Sequence, residues 1–366
     1  MCKIIHIKVL GFSFISFANF ENCLTGHNSK KLLLTRLKKQ DPFHIPLLLI
    51  YVYAANSALF FKIPAYPVWE YSLLFNMLKL HQIEVSGSIV VSAVLFFTLV
   101  QALVLNRSFV KFKLVEQPHQ LLSFVFITLT GLFPAVIMPS PAYISTFFVL
   151  IVFHNMLSLF DMENAVQRNF FSAFYLTVGG MIYTPVLSLF VLLLIASFIL
   201  KAPKIREIII LPMGILVPLF LFLFVFYFTG NLDELPNYTQ NLIPEIQIRF
   251  KGEFTLYFIP AFMIILILFI GFFQNAFIYV HKSVRSSRYN QFFVVYFIFL
   301  VLIFVFTSVD KFTFGTFFLI PISIFLTSTF SFENDRLNNY FALILIVLLI
   351  LMQYLYYLEK IHFSIS

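Results

Sequence analysis

The sequence predicts an all-α membrane protein, a polytopic bundle of about eleven transmembrane helices with a cytoplasmic N-terminus. Three observations predict this class: composition, run length and the placement of charge. Of 366 residues, 61% are hydrophobic and 11% charged, and mean hydropathy is +0.95. Soluble globular domains carry roughly 45–50% apolar residues. Nearly uncharged runs of about 20 residues recur from Ile45 to Tyr357, each long enough to cross about 30 Å of hydrocarbon as a helix. A β-barrel would instead alternate polar and apolar positions over about 10 residues, and ALILIVLLILM (Ala342–Met352) has no such alternation.

Taken in order, the apolar runs lie at about 45–61, 87–106, 119–137, 142–160, 170–183, 185–200, 208–229, 254–280, 291–308, 313–331 and 339–357. Short charged loops separate them. The positive-inside rule orients the set. With a cytoplasmic N-terminus, of 24 Lys and Arg residues only Lys62, Lys79, Arg249, Lys251, Lys311 and Lys360 fall outside. The net charge of +8 therefore reads as topology, and scattered basic residues of this kind argue against nucleic acid as a partner.

The same count bears on FFSAFYLTVGGMIYTPVLSLFVLLLIASFILKAPKIRE (Phe170–Glu207), which is about twice one crossing. Arg168 and the Lys201–Arg206 cluster share a side only if the stretch crosses twice, turning near Tyr183–Pro185. Each arm is then about 15 residues, or roughly 22 Å, shorter than the bilayer. The alternative is one long tilted helix, which would invert every downstream span.

Residues 1–43 read as a cytoplasmic basic leader, in which LLLTRLKKQ (Leu32–Gln40) could form an interfacial helix on anionic headgroups. Residues 44–358 read as one transmembrane domain and 359–366 as a short external tail. Cys2 and Cys23 make neither a disulfide framework nor a metal set. The 52 Phe residues partly reflect lipid-facing positions where Phe, Leu and Ile are interchangeable.

The chain has no P-loop, dinucleotide glycine fingerprint, HExxH, CxxC or nucleophile elbow, which argues against ATP hydrolysis and soluble-enzyme chemistry. Ionisable residues within spans are nearly absent, which argues against proton or sodium coupling. His154, beside Asn155 in the fourth span, is the clearest exception. It reads either as a substrate or proton-relay group or as a histidine hydrogen-bonded between helices. Asn56, Gln101, Gln274, Asn275 and Gln353 are of the type that holds helices together.

Two external segments carry the remaining candidates. In KIPAYPVWEYSLLFNMLKLHQIE (Lys62–Glu84), Pro64 and Pro67 end the first helix, and Tyr66, Trp69 and Tyr71 suit the membrane interface. Glu70 is then held at the surface, where a carboxylate can act as general base or bind a metal that neutralises a lipid-linked phosphate. In the segment after the seventh span, Arg249 and Lys251 can bind a phosphate head group or serve as solvated loop charges.

The order Arg168, GGMIYTP, VLSLFVLLLIASFIL, KAPKIRE and ILPMGILVPLFLFLFVFYF resembles the helical hairpin module of polytopic C-type glycosyltransferases, over residues 168–230. That resemblance implies a polyprenyl-phosphate sugar donor at the outer face of the inner membrane, with Glu70 in the acidic catalytic position. Arg249 or Lys251 would meet the lipid phosphate. The sequence names no cofactor, and such an enzyme leaves room for a divalent metal. The chain departs from the pattern in lacking adjacent carboxylates in the first external loop. From about Leu32 the chain is also similar to an uncharacterised multi-pass inner-membrane family of Bacteroidota, through RLKKQDP, FDMENAVQRNFFSAF and KIREIIILPMGILVP. Both resemblances imply the bacterial inner membrane and cell envelope. The function classes left open are a glycosyltransferase, a non-catalytic subunit of an envelope assembly, and a lipid or small-molecule transporter.

Overall fold

The structure is a computed structural model that describes residues 6–9, 12–15, 44–61, 87–112, 120–133, 140–162, 165–228, 284–306, 311–330 and 342–355. Two short antiparallel strands, β1 (His6–Val9) and β2 (Phe12–Ile15), pair with Val9 opposite Phe12. They were not expected in a basic leader. The signal is alternation of apolar and polar residues around a two-residue connection containing Gly11. The rest of residues 1–43, including Leu32–Gln40, lies outside the described set, as does the run at 254–280.

All other described elements are helical. They are α1 (His44–Ala55), α2 (Gly87–Lys111), α3 (Leu121–Leu132), α4 (Pro141–Leu157), α5 (Val166–Ile182), α6 (Leu189–Leu200) and α7 (Ile205–Phe228). They continue with α8 (Val284–Phe306), α9 (Leu319–Phe330) and α10 (Ala342–Leu355). Each coincides with one of the expected apolar runs. The boundaries differ in a consistent way. α2, α7 and α8 run beyond the apolar residues into their charged flanks, taking in Arg107 and Lys111, Glu207, and Arg285 and Arg288. Lys, Arg and Glu are good helix formers, and their long stems reach water from a helix end.

Helix α3 lies at the centre, with all its residues from Leu121 to Leu132 buried, as expected of a helix that is apolar all round. It packs on α1, α2 and α9. A second group is built on α5, which packs along α4 and α7. Gly214 makes the α5–α7 approach possible, because a Cβ there would meet Phe170 O at 2.6 Å and Ala173 Cβ at 2.7 Å. Helix α4 starts cleanly: the Ser140 side chain accepts from the Tyr143 N–H, and Pro141 occupies the first turn. Its Phe153 meets Phe292, Phe293 and Tyr296 of α8 edge-on, with centroids 5.5, 6.0 and 4.6 Å away. By contrast α7 faces outward with Phe220, Phe224, Tyr227 and Phe228, so the abundant Phe residues serve both surfaces.

The expected first run at 45–61 is not one helix. It breaks after Ala55, and a single turn, Ala58–Phe61, follows. Asn56 Nδ2 donates to Val52 O at 3.0 Å, while the Ala58 N–H leaves the helix ladder for Gln353 Oε1 at 2.9 Å.

The long stretch after Arg168 is two helices. Tyr183 adopts an extended backbone (φ −143°, ψ 101°), and a 3₁₀ segment, Thr184–Ser188, leads into α6. The Leu187 side chain folds back against Gly180. More decisively, both ends of the stretch meet: the Ala165 N–H and Lys201 Nζ donate to the same Glu207 oxygen at 2.9 and 3.1 Å. A straight helix would hold Ala165 and Lys201 about 54 Å apart. The hairpin is therefore the observed arrangement of the chain.

Candidate functional site

The ends of six helices converge where the sequence placed its basic loops. Three connected clusters make up this end of the bundle.

The first is centred on Glu207, whose side chain is 2% exposed. Its Oε1 accepts from the Ala165 N–H at 2.9 Å and Lys201 Nζ at 3.1 Å, and Oε2 accepts from the Lys204 N–H at 3.1 Å. The Asn169 amide adds a bond to the Glu207 carbonyl at 2.9 Å. Lys204 precedes α7 and Glu207 is three residues on, so this is the reach-back half of a capping box. The same carboxylate also holds the backbone N–H at the start of α5. One negative charge thus serves two helix N-termini, where the dipoles favour it, and neutralises a lysine at the C-terminus of α6. Both oxygens accept from donors of the chain itself, which suits a latch between helix ends.

The second cluster is centred on His154. Its Nδ1 lies 2.8 Å from Ser108 Oγ and its Nε2 lies 3.2 Å from Lys111 Nζ. Ser108 donates its own proton to Val104 O at 2.9 Å, so it accepts from His154 Nδ1–H. Nε2 then accepts from the lysine. This assigns, from the hydrogen-bond network, a neutral imidazole protonated at Nδ1. Neighbouring Asn155 accepts from Arg168 Nη1 at 2.9 Å, tying α4 to α5. The Phe112 ring lies 5.3 Å from the imidazole and also under Lys111 Nζ at 5.3 Å.

The third joins α8 to the rest. Tyr289 donates to Leu157 O at 2.8 Å, Arg288 reaches Ile199 O at 3.4 Å, and Arg285 sits over the Phe160 ring at 5.2 Å.

Deeper in the bundle the polar side chains link helices in the same manner. Gln101 donates to Tyr143 O and Thr146 Oγ1, at 3.1 and 3.0 Å. Tyr51 and Thr128 pair at 2.7 Å, and Gln353 donates to Gly131 O at 2.6 Å while accepting from Ala58. Gln101 and Gln353 therefore tie helices together as the sequence suggested, whereas Asn56 bonds back to Val52 of the helix it follows. Gln274 and Asn275 lie outside the described residues.

Of the expected site residues, His154 is the one described. It is a tie between α2 and α4, matching the second of its two readings. Glu70, Arg249 and Lys251 lie outside the described residues. Sequence reasoning missed Glu207 and treated the spans as nearly free of buried ionisable groups. Its signal was present: KIRE places a carboxylate three residues after the presumptive cap, just before an apolar run. Lys204 in place of Ser or Thr hid the pattern. Among the described residues no three His, Cys, Asp or Glu side chains converge as a metal site. Two voids among them each hold about 10 Å³ and are lined by apolar side chains with one serine, Ser108. That is room for about one water.

Four helices, Gly87–Lys111, Pro141–Phe160, Ile205–Phe228 and Val284–Phe306, are long and apolar enough to cross a bilayer, and the fold is that of a helical membrane protein. Residues 50–363 match the model of a family of unknown function, DUF6427, and the chain belongs to that family. No curated protein and no solved structure matches it.

Proposed function

We propose that the chain is a multi-pass inner-membrane protein of the bacterial cell envelope, with its basic end in the cytoplasm, serving as a membrane subunit of an envelope assembly. One observation carries this reading: among the described residues Tyr51, Gln101, Ser123, Asn169, Tyr289 and Gln353 each tie one helix to another. Such a network favours one fixed arrangement over a moving transport path, since each tie would have to break for helices to slide.

A second reading, a glycosyltransferase using a polyprenyl-linked sugar, keeps support from the hairpin at 168–230. Its chemistry would rest on Glu70, with Arg249 or Lys251 at the lipid phosphate and room for a divalent metal. One experiment separates the two: profiling envelope glycans and lipid-linked sugars in a deletion strain complemented with wild-type or Glu70→Gln protein. For the subunit reading, both proteins restore the strain and no sugar donor accumulates. Accumulation of a polyprenyl-linked donor in the deletion strain that Glu70→Gln fails to clear would overturn it in favour of the enzyme.

A further inference from the structure

The geometry points to a phosphate-binding site formed by Arg107, Lys111 and Arg168 at the cation-rich end of the bundle. The proposal needs only that the helices sit in a membrane.

Arg107 and Lys111 are one helical turn apart on α2 and share a face, an arrangement that repels and mildly destabilises a helix unless an anion lies nearby. Both are exposed, while Arg168 is half-buried. Arg168 comes to them from α5, because Asn155 holds its guanidinium beside His154, and Lys111 is held on the imidazole itself. Lys111 of α2 thus touches the imidazole, Arg168 of α5 is tied to the residue beside it, and Arg107 lies one turn before Lys111.

Their described protein partners are all uncharged. Lys111 donates to His154, and Arg168 donates through Nη1 to an amide oxygen. A guanidinium has five N–H groups, so Arg168 keeps donors for an oxyanion. The ion pair seen among the described residues, Lys201–Glu207, belongs to the neighbouring cluster. The side chains of Glu116, Asp161 and Glu163 lie outside that set, and the experiment below reads out any neutralisation they provide.

Phosphate suits this geometry. Arginine forks match its oxygens two at a time, and a lysine adds a point charge. The last turn of a membrane-length helix also lies at headgroup depth, where basic pockets between helices hold anionic lipids. Two sources can supply the group, an anionic phospholipid headgroup or a soluble phosphate.

The test uses the full chain in mild detergent, with bound ligand measured by native mass spectrometry and thermal stabilisation. One arm compares phosphatidylglycerol with phosphatidylcholine, and the other adds inorganic phosphate. The wild type is expected to hold phosphatidylglycerol about tenfold more tightly than phosphatidylcholine, and Arg107→Gln/Lys111→Gln to lose that preference. Arg206→Gln, an exposed cation of the same end outside the cluster, is the control and leaves it intact. Stabilisation by inorganic phosphate alone, lost in the double variant, supports the site with a soluble ligand. Arg107→Gln by itself removes none of the described ties, so it keeps the test readable where the double variant unfolds. Equal binding by wild type and Arg107→Gln in both arms, or an equal loss in Arg206→Gln, overturns the proposal.

Discussion

Replacing Glu207 with glutamine tests whether one carboxylate closes the hairpin. The side chain keeps its shape but exchanges one acceptor oxygen for an NH₂ donor. Three donors now converge on it: the Ala165 and Lys204 backbone N–H groups and Lys201 Nζ, at 2.9, 3.1 and 3.1 Å. Whichever way the amide is turned, at least one backbone N–H faces another donor. Losing a hydrogen bond to a charged acceptor costs about 1.5–3 kcal/mol. The ion pair adds about 1 kcal/mol at most, because the Lys201 side chain remains 21% exposed to screening. The expected loss is thus about 1.5–4 kcal/mol. It is read from the midpoint of unfolding by sodium dodecyl sulfate in mixed micelles, followed by far-UV circular dichroism. Glu207→Gln protein within about 0.5 kcal/mol of wild type, the scale of an ordinary surface change, would refute the latch.

The remaining predictions concern the hairpin and the helix contacts. Single cysteines at Gln167 and Lys204, both exposed, should react with an impermeant maleimide from the same side of the membrane in a chain with Cys2 and Cys23 changed to serine. Labelling from opposite sides would mean that the stretch between them crosses an odd number of times. Gly131→Ala would put a methyl 2.5 Å from Ala55 O and 2.6 Å from a Leu349 methyl. A backbone oxygen cannot rotate away, so the detergent titration should show a loss of about 1–3 kcal/mol, and unchanged stability would show that α1 and α3 are not so closely packed.

The helices were largely readable from the sequence because a membrane interior admits few alternatives: a run without charges must satisfy its own backbone hydrogen bonds, and a helix does so. The hairpin was readable for a different reason. Charge on either side of an overlong run, Arg168 before it and Lys201 to Arg206 after it, implied a return, and the paired ends at Glu207 are that return seen in atoms. The break after Ala55 was not readable, since it depends on Gln353, nearly 300 residues away in sequence. The strand pair at His6–Ile15 was passed over because the leader was judged by its charge, whereas alternation is the signal for strands.

Glu207 shows why reading the candidate site was harder than reading the spans. Counting charges assigns each loop to a face of the membrane and treats its residues as interchangeable. Helix ends make them unequal. At the start of α7 a carboxylate meets unpaired N–H groups and a helix dipole, so Glu207 is drawn in, while Lys204 and Arg206 beside it stay exposed. The same logic separates Lys111 from Arg107, four residues apart on one helix: the first is held by an imidazole from α4, and the second makes no such tie among the described residues. Which member of a basic loop carries function is therefore decided by the neighbouring helix end that it meets, and that meeting is a property of the fold.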